Sequence, residues 1–222
     1  MSTFTHADRV QFRLLGPLEV WAGDRLVDIG APKRRAILAA LLFDVGSAVT
    51  PETLIDRVWD QRPPAKARDV LYAHLSRLRH ILSGLADTSG HPMTLDRRSG
   101  GYAIRVDPEF IDLHQCRSLV EQARRPELTA TDRVTALREA LALWRGDPLA
   151  GLPGEWMARK REGLRRQRLD IVLVWARTEL DLGRQEPVIE VLYPLVAEHP
   201  TVEPLLALLM TALHAAGRGA DA

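Results

Sequence analysis

Between Lys66 and Leu82, Leu71, Leu75, Leu78 and Leu82 recur at helical spacing. This pattern predicts a helix with one narrow apolar stripe. At about 100° per residue, Lys66, Asp69, Val70, Ala73, Arg77 and His80 gather on the opposite side. That side mixes long cations with short side chains, a mix that lets a helix settle into a groove of DNA. Upstream, Leu54, Ile55, Val58 and Trp59 give a second helix its core face. Thr50 suits its N-cap, Pro51 its first position and Glu52 its positive first turn. Asp60-Gln61-Arg62-Pro63-Pro64 cannot prolong it, so a short connection joins the two helices into a helix-turn-helix.

Downstream, residues 92–106 alternate as a β-hairpin, with Gly100-Gly101 as the turn signal. A hairpin after such a helix forms a wing. Arg97 and Arg98 fall near its tip, within reach of a minor groove or a phosphate. Ahead of the helices, Phe12–Leu15, Leu18–Trp21 and Arg25–Ile29 are short alternating runs broken by Gly16-Pro17 and Ala22-Gly23-Asp24. They predict a small antiparallel sheet. Gly30-Ala31-Pro32 then opens a helix from Lys33 to Phe43, with Ile37, Leu38, Leu41 and Leu42 on its apolar side. Lys33, Arg34 and Arg35 stand at its start, where cations oppose the helix dipole. That misfit favours a role against phosphate.

From Ile111 on, the helical period dominates, with helices expected near 112–124, 131–144, 155–182, 186–198 and 201–216. Leu182-Gly183-Arg184 and Ala216-Gly217-Arg218 lie 34 residues apart, the period of tetratricopeptide helix pairs. By that logic another helix should follow Arg218, so the chain reads as truncated or as continuing into further domains. The stripe Leu205, Leu206, Leu209, Met210 and Leu213 is then expected to be partly exposed.

Composition narrows the classes. The 222 residues suffice for two domains, and 46% hydrophobic content supports real cores. A net charge of +1 argues against a nonspecific polycation. The charge is uneven, however: within 62–82 stand Arg62, Lys66, Arg68, Arg77 and Arg79 against the single acid Asp69. The single cysteine, Cys116, excludes a disulfide framework and fits a reducing cytosol. It has no catalytic partner signature and reads as a packed thiol. No apolar run is long enough to span a membrane. There is no P-loop, no GxGxxG and no HExxH, so neither a cofactor nor an enzyme is expected.

The order of sheet, helix, helix-turn-helix and wing resembles the winged-helix DNA-binding domain of the OmpR/PhoB type. Four motifs take the resemblance further: Leu15-Gly16-Pro17-Leu18-Glu19-Val20, the run 32–42, Ser76-Arg77-Leu78-Arg79 and Ser99-Gly100-Gly101-Tyr102. Together with the region from Asp112 on, they are similar to the Streptomyces antibiotic regulatory protein (SARP) family, over nearly the whole chain. The expected fold is an α+β winged helix-turn-helix domain followed by an all-α TPR-like helical bundle. The expected division is a leader over 1–10, the winged helix over 11–107 and a bacterial transcriptional activation domain over 108–222.

The resemblance implies an activator of secondary-metabolite (antibiotic) genes in the cytoplasm, at the nucleoid. It would bind direct repeats in double-stranded promoter DNA as side-by-side protomers that contact RNA polymerase and its primary sigma factor. On the OmpR/PhoB pattern, base-facing positions fall on Asp69, Val70, Ala73 and Arg77. Backbone or flanking positions fall on His74, Ser76, Arg79 and His80. Lys33, Arg34, Arg35, Lys66, Arg97 and Arg98 complete the DNA-binding set.

Several of these residues carry a second reading. Asp69 either accepts from a cytosine amino group, orients a neighbouring arginine, or is an ordinary helix-start acid. Arg79 serves a phosphate or an internal ion pair, and His74 is a buried or edge residue. Arg159, Lys160, Arg161, Arg165, Arg166 and Arg168 form a solvated face or a secondary phosphate or acidic-partner contact. The rival function is a TPR-like protein-interaction scaffold whose winged helix reads no DNA.

Overall fold

The computed structural model describes residues 10–218, which form two compact units. The first takes residues up to Gln115 together with Leu143–Arg165; the second takes Cys116–Ala142 and the residues from Arg166 on. The leader expected over 1–10 lies outside the described residues except for Val10, a buried strand residue.

The first unit opens with β1 (Val10–Arg13), β2 (Glu19–Ala22) and β3 (Arg25–Leu26), an antiparallel meander in the order β1-β2-β3. The third strand is shorter than the apolar run that predicts it. Only Val27 N–H continues its ladder, donating to Val20. Helix α1 (Pro32–Phe43) is buried without a break from Ala36 to Phe43. It is therefore a central core helix rather than a half-exposed one.

Helix α2 (Pro51–Trp59) begins as expected: the Thr50 side chain accepts from Thr53 N–H, and Pro51 occupies the first position. Helix α3 (Ala67–Ser89) runs seven residues past Leu82 and stops at Gly90, whose φ of 69° is left-handed. Leu85 prolongs the stripe, and all five leucines are at most 2% exposed. Burying each is worth roughly 1.5–3 kcal/mol, which fixes the rotation of α3 about its axis.

The wing is β4 (Thr94–Arg98) paired antiparallel with β5 (Gly101–Arg105). Arg98 faces Gly101 across the ladder, so Ser99-Gly100 forms the turn, not Gly100-Gly101. Gly101 is taken up elsewhere: Tyr102 exchanges backbone hydrogen bonds with Val49, just before α2.

A 3-10 turn (Pro108–Phe110) leads into α4 (Asp112–Ala123). Asp112 is buried, and its carboxylate accepts from Leu14 and Leu15 N–H and from the Arg145 guanidinium. Residues 143–165 complete this unit. Arg145 and Leu149 N–H donate to the carbonyls of Leu15 and Leu14. Helix α6 (Glu155–Asp181) starts on an acidic side chain, because Asp60 accepts from Glu155 N–H.

The basic run on α6 is largely structural within this unit. Lys160 lies over the rings of Phe43 and Trp156. Arg161 donates to the carbonyls of Pro148, Leu149 and Leu152, and Arg165 pairs with Asp147.

The second unit is all helix: the rest of α4, α5 (Ala130–Ala142), the rest of α6, α7 (Gln185–Glu198) and α8 (Glu203–Ala215). Every helix end lies within about two residues of its expected place. The 34-residue echo is a repeated cap. Arg184 N–H bonds Glu179 C=O and Gly183 N–H bonds Leu180 C=O; Arg218 and Gly217 repeat this with Leu213 and His214. Both glycines are left-handed, at φ 72° and 74°.

Glu179 is fully buried, hydrogen-bonded to Arg138 and ion-paired with Arg184. On α8, Leu205, Leu209 and Leu213 are buried, while Leu206 and Met210 are more than two-fifths exposed. The expected partial exposure of that stripe is thus observed.

Candidate nucleic-acid interface

With its leucine stripe in the core, α3 must present the opposite side outward. Asp69, Val70, Ala73, Ser76, Arg77 and His80 are all exposed there, with Lys66 exposed at the N-cap. The first turns of the two helices are joined by an exposed ion pair between Arg68 and Glu52. The helix N-terminal backbone, and then the Arg68 partner, hold the Glu52 carboxyl below its ordinary value. Arg68 thereby faces α2, not the outer side.

His74 is half-buried, its ring 6.4 Å from Trp59 and tilted by 32°. Burial, then the charges of Arg34 and Arg77, push its pKa down, so its ring is neutral near pH 7. It closes the edge of the core beneath the exposed side, in line with its reading as a buried or edge residue.

Arg97 and Arg98 are exposed on β4, facing Tyr102 and Gly101 across the hairpin. Successive strand residues point to opposite faces, so the two cations flank the wing. Arg79 does a different job. Its Nε donates to the Leu95 carbonyl at 2.7 Å and its guanidinium lies 5.5 Å from the Tyr102 ring centroid. It pins the wing to α3 through a hydrogen bond and a ring contact, not through an ion pair.

Lys33, Arg34 and Arg35, expected to serve phosphate, are each engaged within the chain. Lys33 donates to the Val58 carbonyl, Arg34 to Ile29 and Arg35 to Leu18. All three are half-buried. The physical reason lies in α2: Val58 sits in its last turn, the negative end of that dipole, and Lys33 caps it while lying 5.7 Å from the Trp59 ring centroid. Cations that look misplaced on α1 are well placed for its neighbours.

Of the cations expected to touch DNA, Lys66, Arg77, Arg97 and Arg98 are exposed with no side-chain hydrogen bond or ion pair. They gather on α3 and the wing. No group of three or more His, Cys, Asp or Glu residues fit to hold a metal occurs among the described residues. Cys116 is fully buried. Sequence reasoning missed Tyr72, an exposed aromatic on α3, and Asp60, whose φ of 50° ends α2. An aromatic outside the leucine stripe was the available signal for Tyr72.

Residues 29–104 match the family described as "Transcriptional regulatory protein, C terminal", and residues 111–222 match "Bacterial transcriptional activator domain". The chain is 36% identical to the regulatory protein AfsR of Streptomyces griseus, over 97% of its own length but only 22% of that relative. It is 32% identical to the regulatory protein DnrI of Streptomyces peucetius, covering 96% of the chain and 80% of DnrI.

Among solved structures it is similar to Mycobacterium tuberculosis EmbR in complex with a low-affinity phosphopeptide. There the TM-score is 0.84 at 29% identity, over 96% of this chain and 56% of that one. The fold is thus a winged helix followed by a helical activator region. With both family matches in order and DnrI covered over most of its length, the chain belongs to the SARP family of transcriptional activators.

Proposed function

We propose that the chain is a sequence-specific reader of double-stranded promoter DNA. One observation carries this reading: the outer side of α3 is exposed along its length while the wing beside it ends in two unpaired arginines. Helix α3 enters the major groove, with Asp69, Val70, Ala73 and Arg77 toward base edges and Ser76 and His80 at the flanks. Arg77 is the long cation in the middle of that side and is suited to guanine. Arg98 reaches the adjacent minor groove, and Lys66 and Arg97 meet phosphates.

The winged helix assigned to 11–107 does the reading, and the region from 108 on does the activating. Protomers sit side by side on direct repeats in promoters of secondary-metabolite genes and contact RNA polymerase and its primary sigma factor. The site of action is the cytoplasm, at the nucleoid. No helix among the described residues is long and apolar enough to cross a membrane.

The test begins with a duplex selected by the chain from a random-sequence pool. The selected duplex should hold repeats about one helical turn apart, roughly 10–11 bp, and should outcompete a scrambled duplex. Inserting about half a turn between repeats should abolish joint binding and leave single-repeat binding intact. If selection enriches no sequence, the reading fails and an interaction scaffold takes its place.

A further inference from the structure

We propose that Tyr72 is a backbone contact of the DNA complex, its phenol donating to a phosphate where α3 meets the wing. This rests on the DNA-reading assignment and adds to it a residue that faces no base. On α3, Tyr72 is rotated about 60° from Asp69, away from Val70 and Arg77 and toward the hairpin. Its ring centroid lies 6.1 Å from that of Tyr102 on β5, at an angle of 52°.

Tyr102 is 6% exposed and faces Arg97 across the ladder. Arg79, two turns beyond Tyr72, reaches the same Tyr102 ring. Tyr102 and Arg79 are both absorbed in holding the wing to the helix. Tyr72 is not: it is 39% exposed, and its hydroxyl takes no hydrogen bond among the described residues.

The chemistry selects phosphate. A tyrosine with its body against another aromatic and its polar tip in water is a half-made contact, since the phenol still has a donor to place. At the rim of a groove-bound helix, the nearest acceptors are phosphate oxygens, whereas base edges lie under the middle of the inserted side. The exposed cations Arg97 and Arg98 stand on the wing beside it and draw the same strand inward. A neutral donor there adds position without adding charge, so its contribution should be insensitive to salt.

The test compares wild type, Tyr72→Phe and Tyr72→Ala on the selected duplex and on a scrambled duplex. Tyr72→Phe keeps the ring against Tyr102, so its melting temperature should match wild type. Its affinity should fall roughly tenfold, the scale of a hydrogen bond to a charged group, and by the same factor on both duplexes. The salt slope should not change.

A scan of neutral methylphosphonate linkages through the selected duplex should then reveal one position that weakens wild type but not Tyr72→Phe. Equal affinities of wild type and Tyr72→Phe would overturn the assignment. So would a loss confined to the selected duplex, which would mark a base contact. A wild type that does not distinguish the two duplexes would show that the DNA-reading assignment itself had failed.

Discussion

Gly101 approaches Val49 so closely that a Cβ built on it would lie 2.1 Å from the Val49 carbonyl oxygen. Its φ of 149° is also one that side chains rarely adopt. The wing therefore lies flat against the segment that caps α2, and glycine alone permits it. Gly101→Ala should destabilise the chain by about 2–3 kcal/mol, from strain and the lost pairing of Tyr102 with Val49. Urea unfolding measures this directly. A loss below half a kilocalorie would show that the hairpin can lift away freely.

Arg77 carries the base-reading prediction. It is exposed, unpaired and centred on the outer side of α3, so Arg77→Ala leaves the core untouched. A lost bidentate guanine contact should cost about 1–3 kcal/mol on the selected duplex and relax preference at one base pair. Repeating the selection with the mutant reads both effects. Retention of the wild-type consensus and affinity would remove Arg77 from the reading set.

Salt dependence counts the phosphate partners. Lys33, Arg34, Arg35 and Arg79 are committed to carbonyls, which leaves Lys66, Arg77, Arg97 and Arg98. If all four displace counterions, the log–log slope should be roughly −3 to −4 per protomer. Including the committed cations would double it to about −7. Titration of binding between low and physiological salt decides between these values.

What the sequence disclosed follows from the range of the forces involved. The α3 stripe was legible because Leu71, Leu75, Leu78 and Leu82 obey a local period. The Gly-Arg pairs were legible only as a 34-residue repeat; that both are caps, with left-handed Gly183 and Gly217, came from the backbone. The wing turn was misplaced by one residue because either glycine could serve it. Only the distant Val49 carbonyl claims Gly101.

The partners of the basic start of α1 were illegible for the same reason. The carbonyls that satisfy Lys33 and Arg35 belong to Val58 and Leu18, far along the chain. Glu179 with Arg138 and Arg184 left no local trace at all.

That buried carboxylate supports a stability prediction. Glu179 is fully enclosed, and its two arginine partners are half-exposed. Arg138→Ala should cost about 2–4 kcal/mol, because it leaves a buried charge with one weaker partner. Glu179→Gln, which removes the charge and keeps the shape, should cost less. Thermal melts of the two variants give the order, and the reverse order would mean that water reaches Glu179.

Asp112 and Arg145 make the pH prediction. The carboxylate of Asp112 accepts two backbone N–H groups and the Arg145 guanidinium at 2.7 Å, yet burial outweighs them and raises its pKa above the ordinary value. The folded chain therefore binds this proton more tightly than the unfolded chain does. Its contribution to stability must decline as pH rises from the ordinary carboxylate range through the raised native value.

Arg145→Ala removes the hydrogen-bonded cation and pushes the Asp112 pKa further up. The mutant should lose about 1–3 kcal/mol at pH 7. The gap from wild type should close as pH falls below the ordinary carboxylate range, where Asp112 is neutral in both folded and unfolded chains. Adding Asp112→Asn should remove most of that pH dependence of the gap, the exposed pair of Arg145 with Glu19 at 3.3 Å keeping the small remainder. Denaturant unfolding of the four variants between pH 3 and pH 8, roughly spanning the carboxylate range, tests this. A gap independent of pH would assign the loss to the packing of Arg145 alone.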